Sequence, residues 1–158
     1  MTDFSESSQS LDEVRPRSNY ARLRPRRSCL YVPGDKARAL EKAGSLPADV
    51  LILDLEDSVA ADAKSAAREQ ARDYLQGRDD AWIRINPLDT DHADADLEAV
   101  MPAAPAGIVL PKARSALDAA ALADRLDALE RSNGLVAGST QIIALCTERP
   151  EALFSLGS

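Results

Sequence analysis

Four apolar runs along the chain each end on charged or amide side chains. They are residues 50–57 (VLILDLED), 81–86 (AWIRIN), 107–112 (GIVLPK) and 141–148 (QIIALCTE). Continuous Val, Ile and Leu runs are typical of strands that are buried on both faces of a parallel sheet. In α/β proteins, the loops that follow such strands hold ligands and catalytic groups. The pattern therefore predicts parallel strands whose polar ends form one candidate active site at one edge of the sheet.

Between these runs the apolar spacing changes to that of amphipathic helices. In the last predicted helix, Ser115 is the N-cap and Gly134 ends the helix. One apolar stripe of this helix consists of Leu117, Ala121, Leu122, Leu126 and Leu129. The strand ends recur about every 30 residues, which is the spacing of a βαβ unit. The predicted elements are strands 29–32, 50–55, 82–85, 107–110 and 140–145, and helices 37–43, 61–75, 94–101 and 115–132. The chain therefore contains about five βα units.

An open doubly wound sheet and a (βα)8 barrel both accept such a run. The first βα turn, residues 32–36, contains one glycine, and the chain has neither a G-x-G-x-x-G nor a Walker A pattern. This favours the barrel, which takes about 250 residues when complete. We therefore predict an α/β fold, a (βα)8 TIM barrel truncated after about five βα units. Residues 26–158 would form this partial barrel domain.

Residues 1–25, rich in Ser, Asp, Arg and Pro, are predicted to be a disordered or loosely attached basic arm. The arm is either a solvated leader or a flap that attracts an anionic ligand. The net charge of −7 argues against nucleic acid as a partner. With no apolar stretch of about 20 residues and no signal peptide, we expect no membrane partner and a cytoplasmic location. Cys29 and Cys146 lack C-x-x-C spacing and are predicted to be buried free thiols.

Three carboxylates lie at the end of the strand predicted at residues 50–55. Asp54, Glu56 and Asp57 repel one another unless a cation or hydrogen-bond donors offset their charge. They therefore indicate either a Mg²⁺ site or a hydrogen-bonded supporting role. Alternatively, Asp57 caps a helix and Asp54 packs against a basic neighbour. Because side chains two apart on a strand point the same way, Asp54 and Glu56 should share a face.

The other strand ends supply cations and a further acid. The guanidinium of Arg84 suits a carboxylate or a thioester carbonyl, or it forms a structural ion pair with Asp54 or Glu56. Lys112 is a candidate phosphate ligand, a supporting residue or a plain surface lysine. Glu148 is a candidate ligand of a hard metal ion, or an acid at a helix N-terminus.

Four segments together resemble a known family in their order and spacing. They are residues 27–34 (RSCLYVPG), 51–59 (LILDLEDSV), 82–87 (WIRINP) and 107–112 (GIVLPK). This family is the citrate lyase beta subunit and malyl-CoA lyase group of the HpcH/HpaI aldolase superfamily of (βα)8 barrels. The resemblance covers about residues 26–158. It implies Mg²⁺-dependent cleavage or formation of a carbon–carbon bond in a CoA thioester such as malyl-CoA or citryl-CoA, through an enolate held by the metal. It also implies a homo-oligomeric parent protein.

The resemblance implies roles for the candidate residues. Glu148 would be the metal ligand, Arg84 the substrate-binding arginine, and Glu56 with Asp57 the acidic pair behind the metal. Of these, Arg84, Glu56 and Asp57 would be the catalytic residues. Substrate-binding positions would be Arg84 and three basic residues, of which Arg27 and Lys36 would meet CoA phosphates and Lys112 would be the third. Arg149 departs from the threonine usual in this group after the glutamate.

The family also has a second metal carboxylate, an Asp about one βα unit after the glutamate, which is beyond Ser158. We therefore expect these residues alone to hold half of a site and to be inactive. Two other functions stay open: a non-catalytic CoA-binding or assembly module, including a decayed fragment, and an acyl-CoA thioester hydrolase.

Overall fold

The computed structural model describes residues 25–155, so the predicted arm lies outside the described residues except for Pro25. Five strands alternate with four α-helices: β1 (Cys29–Pro33), α1 (Ala37–Ala43), β2 (Val50–Asp54), α2 (Lys64–Leu75), β3 (Ala81–Arg84), α3 (His92–Val100), β4 (Gly107–Leu110), α4 (Ala116–Ser132) and β5 (Gln141–Ala144). Short 3₁₀ segments at Ala61–Ala63, Met101–Ala103 and Pro150–Phe154 complete the elements of this described part. No helix within residues 25–155 is long and apolar enough to cross a membrane.

The strands form one parallel sheet in the order β1-β2-β3-β4-β5. Each strand therefore lies beside the next one in sequence, as in a (βα)8 barrel, whereas a doubly wound sheet reverses its strand order. All carboxyl ends lie at one edge, hereafter the carboxyl edge, and the opposite edge is the amino edge. The register pairs Asp54 with Arg84 at the carboxyl edge.

The side chains of each strand alternate between two faces. The outer face packs against the helices. Its buried strand residues include Leu51, Leu53, Ile83 and Ile108, and the buried helix residues of the same cluster include Ala67, Ala71, Leu97 and Leu122. The inner face holds a smaller apolar cluster of Val50, Ile52, Trp82 and Val109. The Trp82 ring occupies the space over Gly107, where an added Cβ would lie 2.4 Å from a ring carbon. Gly107 therefore makes room for the indole on the inner face.

The predicted helix ends are confirmed where capping chemistry decides them. The Ser115 hydroxyl accepts a hydrogen bond from the backbone N–H of Leu117 at 3.2 Å, and Gly134 follows α4 with a φ of +66°. The predicted stripe of α4 is wrong at Leu117, which is 78% exposed, and at Ala121, which is exposed one turn further on. At 3.6 residues per turn, Leu117 lies about 140° around the helix from Leu122, so the two cannot face the sheet together.

The prediction of two buried thiols is also wrong. Cys29 is exposed and Cys146 is half-buried, and both are free. Cys29 begins β1, one of the two edge strands of the five, which has a neighbouring strand on one side within the described residues. An apolar sequence run therefore does not bury the inner face of this strand.

Candidate active site

The centre of the carboxyl edge is a two-pronged ion pair between the last residues of β2 and β3. Arg84 donates from Nε to Asp54 Oδ1 at 2.8 Å and from Nη2 to Asp54 Oδ2 at 2.6 Å. Asp54 also accepts the backbone N–H groups of Glu56 at 2.8 Å and Ser58 at 3.2 Å. Arg84 therefore forms a structural ion pair with Asp54, which its place in the sequence predicted as the alternative to ligand binding.

These contacts set the charge of the pair. Burial acts to raise the pKa of Asp54, but hydrogen bonds from Arg84 and Ser58 outweigh it and hold that pKa below its ordinary value. The hydrogen bond to Asp54 in turn raises the pKa of Arg84. Both groups therefore stay ionised.

Glu56 lies on the same face as Asp54, as expected from their spacing, since both carboxylates contact Arg84. The Glu56 side chain is 3% exposed, with Oε1 at 2.5 Å from Lys112 Nζ and Oε2 at 3.2 Å from Arg84 Nη1. The Oε2 atom is buried and accepts no hydrogen bond of good geometry. Burial raises the pKa of Glu56 although Lys112 and Arg84 oppose this. Glu56 is thus a buried acid held between two cations.

Lys112 connects the acidic residues to Glu148. Its backbone adopts the left-handed conformation with a φ of +52°, which costs a non-glycine residue roughly 1–2 kcal/mol. The Lys112 ammonium also contacts Asp57 Oδ1 at 3.2 Å, while the Lys112 backbone N–H donates to Glu148 Oε2 at 2.7 Å. The hydrogen bond to Glu56 raises the pKa of Lys112. Lys112 therefore bridges carboxylates, and the structure does not leave it as an isolated surface lysine.

Glu148 is an exposed carboxylate just after β5 at the carboxyl edge. No group of three or more His, Cys, Asp or Glu side chains within residues 25–155 is arranged to hold a metal ion. Asp54, Glu56 and Asp57 all face cations, which leaves Glu148 as the acid best placed to bind one. Mg²⁺ is commonly bound by one or two carboxylates plus water and substrate oxygens. The described residues therefore fit one protein ligand of a Mg²⁺ ion, and not a complete protein cage.

The remaining predicted residues lie at two different edges. Lys36 follows β1 at the carboxyl edge, pairs with Asp35 at 2.6 Å and is 62% exposed, so a ligand can reach it. Arg27 precedes β1 and therefore lies at the amino edge, where it pairs with Asp49 at 3.0 Å. The structure does not bring Arg27 to the Arg84 site, because the amino ends of parallel strands share the opposite edge.

Two residues of this region were missed by sequence reasoning. The Tyr31 ring lies 5.1 Å from the Arg84 guanidinium, and Lys64 is a buried lysine whose Nζ bonds the backbone of Leu55 and Glu56. The sequence held a signal for Lys64, which shares the helical spacing of the buried α2 residues Ala67, Ala71 and Leu75. Tyr31 gave no comparable signal.

Known proteins share this sequence and fold. The chain is 46% identical over 103 residues to the (3S)-malyl-CoA thioesterase of Cereibacter sphaeroides, over 63% of this chain and 36% of that protein. It is 37% identical over 127 residues to citrate lyase subunit beta of Escherichia coli, over 78% of this chain and 42% of that protein. The chain thus spans about two fifths of the length of these curated relatives.

Solved structures support the fold. Protein CitE from Mycobacterium tuberculosis in complex with magnesium and pyruvate matches with a TM-score of 0.65 and 32% identity, over 82% of this chain and 48% of that chain. The same protein with magnesium, acetoacetate and coenzyme A gives a TM-score of 0.54 and 33% identity, over 76% of this chain and 40% of that chain. These matches to citrate lyase-type TIM-barrel proteins confirm the predicted fold class. Since the family model for HpcH/HpaI aldolase/citrate lyase also matches residues 27–150, the chain belongs to the HpcH/HpaI aldolase/citrate lyase family.

Proposed function

We propose that this chain supplies part of the active site of a Mg²⁺-dependent carbon–carbon lyase that acts on a CoA thioester of the malyl-CoA or citryl-CoA type. The observation that carries the proposal is the carboxyl edge itself, where Asp54 and Glu56 hold Arg84 and the exposed Glu148 lies one hydrogen bond from Lys112. Support comes from the family and from the magnesium named in the solved relatives. A cytoplasmic location and a homo-oligomeric parent protein stay predictions.

Arg84 would bind the carboxylate of the acyl group. A guanidinium has five N–H donors. Two of these N–H groups bond Asp54, and Nη1 also faces Glu56. Two donors therefore have no carboxylate opposite them within residues 25–155. Glu56 and Asp57 would act by holding Arg84 and Lys112 in place, while Lys36 and Lys112 would meet the anionic parts of CoA.

Cleavage of malyl-CoA breaks the bond between the hydroxyl-bearing carbon and the methylene carbon next to the thioester. The hydroxyl group gives up its proton, the new carbonyl leaves as glyoxylate, and the methylene carbon keeps the electron pair and takes up a proton to give acetyl-CoA. Negative charge therefore develops on the thioester side as the bond breaks. Mg²⁺, with Glu148 as a ligand, would supply the positive charge that stabilises it.

Thioester hydrolysis is the second candidate, because the malyl-CoA thioesterase is 46% identical over the aligned residues. Products separate the two reactions. A lyase converts malyl-CoA into glyoxylate and acetyl-CoA, whereas a thioesterase releases malate and free CoA thiol. Tight binding without either product would indicate a non-catalytic CoA-binding module.

The experiment is titration calorimetry of the purified protein with Mg²⁺ and then acetyl-CoA. We expect Mg²⁺-dependent binding that weakens by about tenfold or more, or about 1.4 kcal/mol, in both Glu148→Ala and Arg84→Ala. Arg125→Ala is the matched control, since Arg125 is a surface arginine of α4 that pairs with Asp94. A folded protein that binds neither Mg²⁺ nor acetyl-CoA would contradict the lyase, the hydrolase and the CoA module alike.

A further inference from the structure

We infer that Lys64 is a positioning residue, which fixes the acidic loop (residues 54–58) from the helix side of the sheet. The inference rests on the proposed function, because it explains how the carboxylates of that loop are held against Arg84 and Lys112. Lys64 itself lies at the start of α2 and would touch no ligand.

The contacts of Lys64 are saturated. Its Nζ donates to the backbone oxygen of Leu55 at 2.7 Å, to that of Glu56 at 2.7 Å and to Asn86 Oδ1 at 2.8 Å. An ammonium group has three donors, and these three acceptors use all of them. Lys64 is 8% exposed, so water cannot easily replace these bonds. The main chain at residues 55 and 56 is therefore held to the first residue of α2.

A second layer of buried groups supports Asn86. Its Nδ2 donates to the Leu55 oxygen at 2.9 Å and to Asp96 Oδ2 at 2.6 Å. Asp96 is fully buried and accepts from Arg68 Nε at 2.7 Å. The network thus joins the ends of β2 and β3 to helices α2 and α3. Satisfied buried networks of this kind hold a single arrangement of the chain, because an unpaired member is costly.

The acidic loop needs such a support because it has no regular secondary structure between the end of β2 and Ala61. Two of its backbone N–H groups, those of Glu56 and Ser58, are used to bond the Asp54 carboxylate. The Leu55 oxygen accepts two side-chain donors, from Lys64 and Asn86. Loss of Lys64 would therefore loosen the loop, which would keep its bonds to Asp54 and Asn86, while strands β2 and β3 stay paired.

The test compares Lys64→Met with wild type by hydrogen exchange and NMR. We expect the amides of Glu56 and Ser58 to exchange about tenfold faster or more relative to the β4 amides, which report global opening. We expect a sharp Arg84 Nε–H resonance in wild type, because that group is bonded to Asp54, and a broadened one in Lys64→Met. Acetyl-CoA affinity in Mg²⁺ should fall by a similar factor.

The matched control is Glu130→Gln, which alters another buried charged group. Glu130 lies at the amino edge, is 1% exposed and accepts the Gly138 and Thr140 N–H groups at 2.6 and 2.8 Å. Glu130→Gln should lower global stability. It should leave unchanged the Arg84 resonance and the exchange rates of the Glu56 and Ser58 amides relative to the β4 amides. Equal changes in both variants would mean a general loss of stability and would overturn the inference. The inference would also be overturned if the Glu56 and Ser58 amides of Lys64→Met exchanged at the wild-type rate and the Arg84 resonance stayed sharp.

If Lys64→Met does not fold, Lys64→Arg takes its place. A planar guanidinium keeps the charge but cannot direct three donors from one nitrogen, so the Glu56 and Ser58 amides should still exchange faster. Unchanged exchange in this variant would overturn the inference. The exchange and resonance measurements use no ligand, so a failure of the wild-type protein to bind acetyl-CoA contradicts the proposed function and leaves the positioning role to be judged by exchange alone.

Discussion

Two arginine–aspartate pairs at opposite edges of the sheet have the same bonding pattern. Asp54 accepts two N–H groups of the Arg84 guanidinium and two from the backbone. Asp49 likewise accepts two from the Arg27 guanidinium and two from the backbone, at residues 27 and 28, and it also accepts one from the Ser28 hydroxyl. The pairs differ in exposure, with 14% and 3% for the side chains of Arg84 and Asp54 but 78% and 21% for those of Arg27 and Asp49.

Burial is therefore the main difference between the two pairs. An exposed ion pair is weakened by water and salt and contributes little to stability. The pair at the amino edge thus only tethers the segment ahead of β1. A buried pair has a large desolvation cost that its partners must offset, but it presents a fixed charge to a ligand without reorganisation. The buried pair of Arg84 and Asp54 lies at the carboxyl edge, where we propose the site.

The largest expected difference is in stability. Asp54→Ala would leave Arg84 with no fork partner in a buried setting, and we expect a loss of about 3–5 kcal/mol in the free energy of unfolding. Asp49→Ala should cost much less, because Arg27 is already hydrated. Urea unfolding of both variants measures this, and equal losses would refute the distinction between the edges.

A smaller difference is expected in ligand binding. Arg84→Lys keeps the charge but loses the planar fork, so Mg²⁺-dependent acetyl-CoA affinity should fall about tenfold. Arg27→Lys should leave the affinity within about twofold, since its edge lies away from Arg84. Calorimetry on the two variants decides this, and a comparable loss in Arg27→Lys would restore Arg27 as a CoA contact.

The smallest expected difference appears on titration. Hydrogen bonds from Arg27 lower the pKa of Asp49 from 3.8 to about 2, so the stability contributed by this pair is full above about pH 4 and lost as the pH falls toward 2. The lowered pKa of Asp54 has the same effect, so its contribution to stability is also lost as the pH falls. The raised pKa of Glu56 has the opposite sign, because its ionisation with rising pH destabilises the folded state.

Carboxyl ¹³C NMR titrations in low salt and in about 0.5 M NaCl measure these pKa values. Salt should move the Asp49 midpoint back toward its ordinary value and leave that of Asp54 nearly unchanged, because buried charges are screened less. Equal salt shifts would contradict the difference in burial.

The sequence predicted the fold well because the strands are continuous apolar runs and the helices have local caps. Strand β4 and helix α1 have the predicted bounds. Leu117 and Cys29 were misplaced because apolar character does not tell which face of an element is covered. Whether a face is covered depends on the neighbouring elements. Within the described residues, β1 has one neighbouring strand, whereas a central strand has two.

For the candidate site, the sequence identified the strand-end residues but not their partners. Asp54, Arg84 and Lys112 were found because charged side chains interrupt apolar runs. The pairing of Arg84 with Asp54 depends on strand register, and the bridge from Lys112 to Glu148 depends on a backbone N–H group. Neither is visible in residue types. Lys64 was missed because lysines are almost always exposed, and only its position on the apolar face of α2 marked it.

The close packing of Trp82 over Gly107 gives the molecule a built-in optical reporter. The chain has one tryptophan, and its indole lies on the inner face, two residues before Arg84 on the same strand and therefore on the same side. When light that the three tyrosines do not absorb excites the protein, its emission thus comes from beneath the proposed site alone. A shift in its wavelength would reveal ligand arrival or water entry there with no added label.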